Sequence, residues 1–318
     1  MDKEKKAPSP LERESEKEEK IPTLQRLPLR PHGVVSNQRF GALDVIIFLI
    51  LLIYVIAVIF PFYNAFVISI SSEHAYNNVD LLLWPQEITF EAYQTVFRSQ
   101  QLWNGFGITM ILLVFGTAYQ LFFTVITGYA MSRDKWFGKN FVMNLILVTM
   151  FFGGGLVPYY YLIISLGLYN TIWVMIIPGA IDTFNMLLMR NYFASLPKEL
   201  EESAKMDGAN DVQIFVKVYL PLSLPMLATV GLFFAVGNWN SWYNGMLFIE
   251  NSSLKPLQLV LREMIASIAS NVESPTSKTY SEGLVMASIF FTIVPMMCFY
   301  PFLQKFFVKG IVVGAIKG

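Results

Sequence analysis

Between Pro197 and Pro221 the chain reads PKELEESAKMDGANDVQIFVKVYLP, and the rest of the molecule is organised around this stretch. It lies between two long apolar runs and is too charged to cross a bilayer itself. Pro197 suits the first turn of a helix, and Glu199, Glu201 and Glu202 complement the positive end of its dipole. Leu200 and Ala204, four apart, give a narrow apolar side. Asp207-Gly208 then breaks the helix, because glycine takes up a positive φ without a side-chain penalty. The pattern predicts a second short helix capped by Asn210 or Asp211. Val212, Phe215, Val216 and Tyr219 recur at i, i+3, i+4 and i+7 and form its apolar face. Pro221 and Pro225 end that helix and start the next apolar run. The expected product is a bent two-helix knob beside a membrane, with a face suited to a cleft in another protein.

Composition places the knob. The chain has 318 residues, 54% of them hydrophobic and only 14% charged, and its mean hydropathy is +0.49. A soluble domain carries about 25% charged residues, and the shortfall here is concentrated in long apolar runs, so the fold class is an all-α polytopic membrane protein. The net charge of zero makes no case for nucleic acid. The single cysteine, Cys298, excludes an internal disulfide, and His32 and His74 are too far apart and too isolated to suggest a metal site. No cofactor is expected.

Residues 1–39 form a charged N-terminal segment. Its first 24 residues intersperse lysine and glutamate and cannot bury enough apolar surface to order themselves. No apolar run follows these charges until Ala42, which argues against a signal peptide. Residues 40–318 form the membrane domain. Six spans are expected, at about Leu43–Ile70, Asn104–Met131, Asn140–Ile164, Thr171–Leu188, Leu224–Phe248 and Gly283–Leu303. The third is interrupted by Gly153-Gly154-Gly155 and Pro158, which mark a kinked or broken helix, and no lysine–serine or lysine–threonine pair follows to make a phosphate loop. Trp84 and Trp103 suit an interface belt.

Six spans put both termini on one side. That side carries Arg26, Arg30 and Arg39, then Arg133, Lys135 and Lys139, then Arg190, Lys198, Lys205 and Lys217, and finally Lys305, Lys309 and Lys317. The other side carries Arg98, Lys255, Arg262 and Lys278. The bias predicts that both termini and the 197–221 loop are cytoplasmic.

Polar groups within the fifth run, Gly237-Asn238-Trp239-Asn240-Ser241-Trp242-Tyr243-Asn244, are costly to expose to lipid and should face the bundle or a water-filled path. On a continuous helix Asn240 and Asn244 share one face, and Asn238, Ser241 and Trp242 another. Amides bond hydroxyls and aromatic rings stack on pyranose faces, so a sugar path is one explanation. Helix–helix hydrogen bonding with interface-belt aromatics is the other. Asp182 and Asn185 in the fourth span, and Tyr159, Tyr160 and Tyr161 in the third, are weaker candidates for the same path.

The spacing of Glu202-Ser203-Ala204, Asp207-Gly208-Ala209, Val218 and Leu220-Pro221 resembles the EAA loop of bacterial ABC importer permeases, with Ser203 where alanine is usual and Val218 where isoleucine is usual. Further likeness to the carbohydrate-importing permeases, closest to the subgroup for complex oligosaccharides, lies in four places. These are Trp84-Pro85 with Phe90-Glu91-Ala92-Tyr93, Phe151 to Pro158, Gly237-Asn238-Trp239-Asn240, and Leu257-Gln258 with Leu261-Arg262. The resemblance implies a cytoplasmic two-helix coupling loop over 197–221, with Phe215 on its apolar face, that docks into a cleft of an ATP-hydrolysing subunit. Glu202 would be a polar contact to that ATPase or a cap within the loop. It also implies a bacterial plasma-membrane location and a set of partners: two ATPase copies, a second, related permease and an extracytoplasmic solute-binding protein. Sometimes only one of the two permeases contacts the sugar.

The alternatives are an ABC permease for a non-sugar cargo and an ion-coupled secondary transporter; against the latter, Asp182 is the only acid well inside an expected span and the two halves show no repeat. An enzyme is disfavoured because no paired carboxylates, histidine cluster or nucleophile–base pair converge.

Overall fold

The computed structural model describes residues 42–77, 81–133, 136–269 and 281–315. The charged segment expected at 1–39, Lys135, and most of the second half of the polar stretch 249–282 lie outside the described residues. The described chain is helical, and among its residues the one β feature is an isolated antiparallel bridge between Ser71 and Ile88.

The principal elements in chain order begin with α1 (Ala42–Ser69), α2 (Glu91–Arg98) and α3 (Gln100–Ser132). Then come α4 (Lys139–Phe151), α5 (Leu156–Ser165), α6 (Thr183–Ser195) and α7 (Lys198–Met206). The series ends with α8 (Asp211–Leu222), α9 (Leu224–Trp239), α10 (Tyr243–Phe248), α11 (Leu257–Ala269) and α12 (Glu282–Ala315). Contacts divide the chain into residues 1–57 and 58–318. In the first unit, every side chain described from Leu43 to Ala57 is exposed. Leucine, isoleucine, valine and phenylalanine cover that surface all round, as suits a helix solvated by lipid tails.

Within the second unit, three packed clusters place the functional surfaces. Val96, Leu102, Leu257, Val260, Met264, Val285 and Ala287 join α2, the start of α3, α11 and α12. Ile108, Leu112, Ile163, Val174, Met175, Ile176 and Phe248 join the middle of α3 to α5, the short helix Trp173–Ile176 and α10. Val125, Met189, Phe193, Ile214, Tyr219, Val230 and Phe234 join the end of α3 to α6, α8 and α9. Lipid tails are as apolar as these side chains, so close packing and hydrogen bonds, more than water exclusion, hold membrane helices together. Gly128 shows how close: a Cβ there would lie 2.9 Å from Met189 Cβ and 3.2 Å from the Arg190 nitrogen, so only glycine lets α6 lie against α3.

Several expected spans are broken. Among the described residues three helical stretches, Leu43–Ser69, Gln100–Ser132 and Glu282–Phe299, are individually long and apolar enough to cross a membrane, and up to five are if each bent pair counts as one span, against the six expected. The third expected span is split at Phe152–Gly155, and α4 meets α5 at 116°. The fourth is no continuous helix: Trp173–Ile176 runs into a 3-10 turn, Ile177–Gly179, and α6 starts at Thr183. Asp182 therefore lies at a helix start and not within a continuous helix. It is the N-cap of α6, where its carboxylate accepts from the Asn185 backbone N–H at 2.8 Å. The fifth breaks after Trp239 and resumes at Tyr243, so Asn240 and Asn244 do not share a helix face.

Two local devices brace these breaks. The link before Trp173 is clasped to the segment after α10: Asn170, at φ +53°, accepts from the Glu250 and Asn251 backbone N–H groups at 3.1 and 3.0 Å. The Tyr169 hydroxyl donates to Glu250 at 2.7 Å, and that bond pushes the phenol up to about 12, so it remains a donor throughout the physiological pH range. Inside α3, a π-helical turn at Leu112–Gly116 lies where α9 crosses.

Gly128→Ala should lower the stability of the assembled protein by about 1–3 kcal/mol, the usual penalty for overpacking. The readout is the midpoint of thermal unfolding in detergent; an unchanged midpoint would mean that α3 and α6 do not approach this closely.

Candidate functional site

The 197–221 stretch forms the bent pair α7–α8. Pro197 sits at the N-cap, Glu199 and Glu201 lie in the first turn of α7, and Lys205 lies in the last, each complementing the helix dipole. The helix stops at Asp207 and Gly208, with Gly208 at φ +79°. The Gly208 N–H donates to the Lys205 carbonyl at 3.0 Å and the Ala209 N–H to the Ala204 carbonyl at 3.0 Å, the paired bonds of a Schellman turn. Ala204 and Ala209 both pack against the cluster beneath. The small residues of the two motifs thus close the turn that bends the loop.

Asn210 caps α8. Its side-chain oxygen accepts from the Gln213 N–H at 2.8 Å and the Gln213 side chain accepts from the Asn210 N–H at 3.0 Å, a complete capping box. Ile214 and Tyr219, 1% and 4% exposed, anchor α8 on the cluster formed by α3, α6 and α9, with Phe215, Val218 and Leu220 packed beside them. A π-helical turn at Phe215–Tyr219 rotates this face away from the expected register. The expected single apolar face is therefore divided. Phe215 and Tyr219 point to the bundle, whereas Val212 and Val216 remain 70% and 50% exposed. Pro221 does not end α8, which runs to Leu222 before Ser223 breaks the chain and α9 departs at 79°.

Exposed on the loop's outer side are Glu202, Ser203, Met206, Asp207, Gly208 and Val212, with Pro221 exposed at its end. Glu201 points the other way. Its carboxylate is ion-paired with Arg133, accepts from Lys205 Nζ at 2.7 Å, and accepts from the Tyr219 hydroxyl at 3.3 Å. The Arg133 guanidinium lies 5.1 and 5.0 Å from the ring centroids of Tyr129 and Tyr219. Arg133 is the residue immediately after α3, so these contacts fasten α7 to the end of a long apolar helix. They border a 540 Å³ cavity lined by Tyr129, Arg133, Lys198, Glu201, Glu202, Lys205 and Asp211. Sequence reasoning counted Arg133 as one topogenic charge among several and Glu201 as one dipole acid. The available signal was Glu201 four before Lys205 and Tyr129 four before Arg133.

The candidate sugar-path residues separate into two sets. Asn238 is buried, and its amide donates to Thr117 Oγ1 at 3.1 Å and Gln120 Oε1 at 2.8 Å, bridging α9 to α3 beside the π turn. Trp239 is buried edge-on to Phe106, Tyr160 stacks on Phe248, and Asn244 donates to the Val174 carbonyl at 3.3 Å. These side chains make the helix-bridging contacts allowed for above. Asp182 is exposed as a cap. The Ser241 N–H closes a turn on the Asn238 carbonyl at 3.2 Å. Asn240 and Trp242, by contrast, line open cavities against α11, where the Arg262 guanidinium lies 4.0 Å from the Trp242 ring centroid. The sequence marks Arg262 as an outer-side charge and as part of the Leu261-Arg262 likeness, but not as a partner of Trp242. Among the described residues no group of three or more histidine, cysteine, aspartate or glutamate side chains could hold a metal.

Comparison with known proteins agrees with this architecture. Residues 128–313 match the family described as "Binding-protein-dependent transport system inner membrane component". The chain is 38% identical over 266 residues to protein LplC of Bacillus subtilis strain 168, covering 82% of this chain and 90% of that one. It is 34% identical over 281 residues to the polygalacturonan/rhamnogalacturonan transport system permease protein YtcP of the same organism, covering 86% and 98%. It is also similar to a chain in the crystal structure of a bacterial ABC transporter involved in the import of the acidic polysaccharide alginate, at a TM-score of 0.76 and 33% identity, covering 83% of this chain and 96% of that chain. With its polar two-helix loop seated on a bundle of broken apolar helices, the chain belongs to the family of inner membrane components of binding-protein-dependent transport systems.

Proposed function

We propose that this chain is a translocating subunit of an ATP-driven importer for a sugar or oligosaccharide, and that α7–α8 is its coupling loop. The observation that carries this is the division of the loop into two faces. Ile214, Phe215, Val218, Tyr219 and Leu220 seat it on its own bundle, and Glu202, Ser203, Asp207 and Val212 are left facing outward. An outward face with charge at one end and exposed apolar side chains, Val212 and the 88% exposed Met206, suits the cleft of an ATPase subunit. The relatives that carry printed cargo names point to carbohydrates: polygalacturonan/rhamnogalacturonan, arabinooligosaccharides and alginate.

In the proposed assembly two ATPase copies dock below this chain and a second, related permease, and an extracytoplasmic binding protein delivers the cargo. The six spans and the cytoplasmic placement of both termini and of the loop belong to the same proposal; the spans rest on the apolar runs and the placement on the positive-charge bias. ATP can shift the bundle between inward- and outward-facing states only through contacts that differ between them. The loop transmits that difference. Arg133, held against Glu201, keeps α7 from swinging independently of α3.

Two sets of variants test this. Gly208 has open space around the position of a Cβ, so a side chain there meets no neighbour and brings only the left-handed backbone strain of about 1–2 kcal/mol. Gly208→Val should leave the protein in the membrane and reduce sugar uptake in the assembled transporter at least tenfold; normal uptake would remove Gly208 as the bend on which coupling depends. Glu202→Lys should reduce the ATPase recovered on co-purification, and undiminished recovery would assign Glu202 no contact there.

Arg133→Ala or Glu201→Gln should increase the ATP hydrolysed per sugar imported, with the ATPase still recruited through the outer face. The exchange Arg133→Glu with Glu201→Arg should restore part of the coupling. A stoichiometry that stays at the wild-type value in both single variants would show that the pair bears no load.

A further inference from the structure

We propose that the groove between the α9–α10 break and α11 binds a carboxylate-bearing sugar, with Arg262 receiving the carboxylate and Trp242 the pyranose face. The proposal rests on the reading of this chain as a sugar-translocating subunit and narrows the cargo to uronic-acid oligosaccharides.

The groove lies at the end of α9 opposite the coupling loop. The sixteen residues of α9 carry it about 24 Å away at 1.5 Å per residue. One part, 470 Å³, is lined by Trp242, Gln258, Leu261, Arg262, Ile265 and Ala266. An adjoining part of 410 Å³ shares Gln258 and Leu261 and adds Asn240. Both volumes are in the range of small-ligand sites. Gln258 and Arg262 are four apart on α11 and so lie on one helix face. That face is held in place at its root, because the Leu257 N–H donates to Thr109 Oγ1 of α3 at 2.9 Å and Leu257 and Val260 are fully buried.

Arg262 is the informative group. Among the described residues it has no carboxylate within 4.0 Å, and the neighbouring Glu263 is committed to Lys255 at 2.6 Å. The guanidinium carries five N–H donors, and its central carbon lies 4.0 Å from the Trp242 ring centroid. Arg262 is exposed on the wall of the open groove, where an incoming anion can reach it. A sugar carboxylate would satisfy it with two parallel hydrogen bonds. The amides of Gln258 and Asn240 can bond ring hydroxyls, and the indole, one face of which carries the guanidinium, lines the same groove with apolar surface for the C–H side of a pyranose. A groove for neutral sugars needs the amides and the ring and has no use for the charge.

The test uses the assembled transporter, with its ATPase, partner permease and binding protein, in membrane vesicles. The probes are trigalacturonate, its fully methyl-esterified form, which keeps the skeleton and loses the charge, and neutral raffinose. The readout is the ratio of ATP-dependent uptake of acid to ester within one preparation, which poor folding of a variant leaves unmoved. Wild type should favour the acid at least tenfold. Arg262→Gln should bring the ratio down by a factor of ten or more, and Arg262→Lys, which keeps the charge and loses the fork, should retain a clear preference for the acid. A wild-type ratio near one, uptake of raffinose alone, or an Arg262→Gln ratio equal to wild type would overturn the acidic-cargo assignment and leave the importer intact. Absence of ATP-dependent uptake of all three sugars would count against the importer reading itself, and against this one with it.

Discussion

The Arg133–Glu201 pair is the contact on which the arrangement of the coupling end depends. Helix α7 has nine residues and buries none of its side chains. A helix that short is marginal on its own, and its apolar contact with the cluster beneath is made through the small side chain of Ala204. It is fixed at two points. One is the Schellman turn at Gly208, which ties it to α8, itself anchored by Ile214 and Tyr219. The other is Glu201, gathered in by Arg133, Lys205 and Tyr219. A fully exposed ion pair contributes about 0–1 kcal/mol. This one is largely sheltered, and its guanidinium lies over two tyrosine rings, which places it in the stronger class of charge-assisted bonds.

Helix α9 connects the two regions of interest. It starts at the 79° bend beyond Ser223, next to the loop, and ends at Asn240, next to the groove. Its last turn is tied to α3, just beyond the π turn, by Asn238, Thr117 and Gln120. On the proposed function, displacement of the loop reaches the groove along one stiff rod and its partner α3. Broken helices at 152–155, 180–182 and 240–242 expose backbone groups, which is tolerable at membrane depth only where the chain lines a cavity or is buried in protein. At the second break Asp182 satisfies the Asn185 N–H, one of the free donors at the start of α6.

Much of this was legible in the residues. The apolar runs at 43–70 and 104–131 carry their own length signal, and the structure has helices there. Gly208 and Asn210 mark a break and a cap through local chemistry that does not depend on the remainder of the fold. What was hidden depends on contacts distant in sequence. The division between Tyr219 and Val216 follows from a π-helical turn, which shifts the periodicity that a 3.6-residue count assumes. The helix start at Asp182 was hidden because the apolar run around it reads as one continuous span. Arg133 meets Glu201 across 68 residues, and Arg262 meets Trp242 from a different helix, so neither pairing is written in local spacing.

The central claim is that the outer face of α7–α8 is covered by a separate ATP-hydrolysing chain. Cysteine placed at Val212, with the exposed Cys298 replaced by serine, measures it directly in inside-out vesicles treated with a membrane-impermeant thiol reagent. The account predicts rapid labelling when this chain is present without the ATPase and strong protection, changing with ATP, when the transporter is assembled. Equal labelling in both preparations, or labelling only from the opposite side of the membrane, would contradict it.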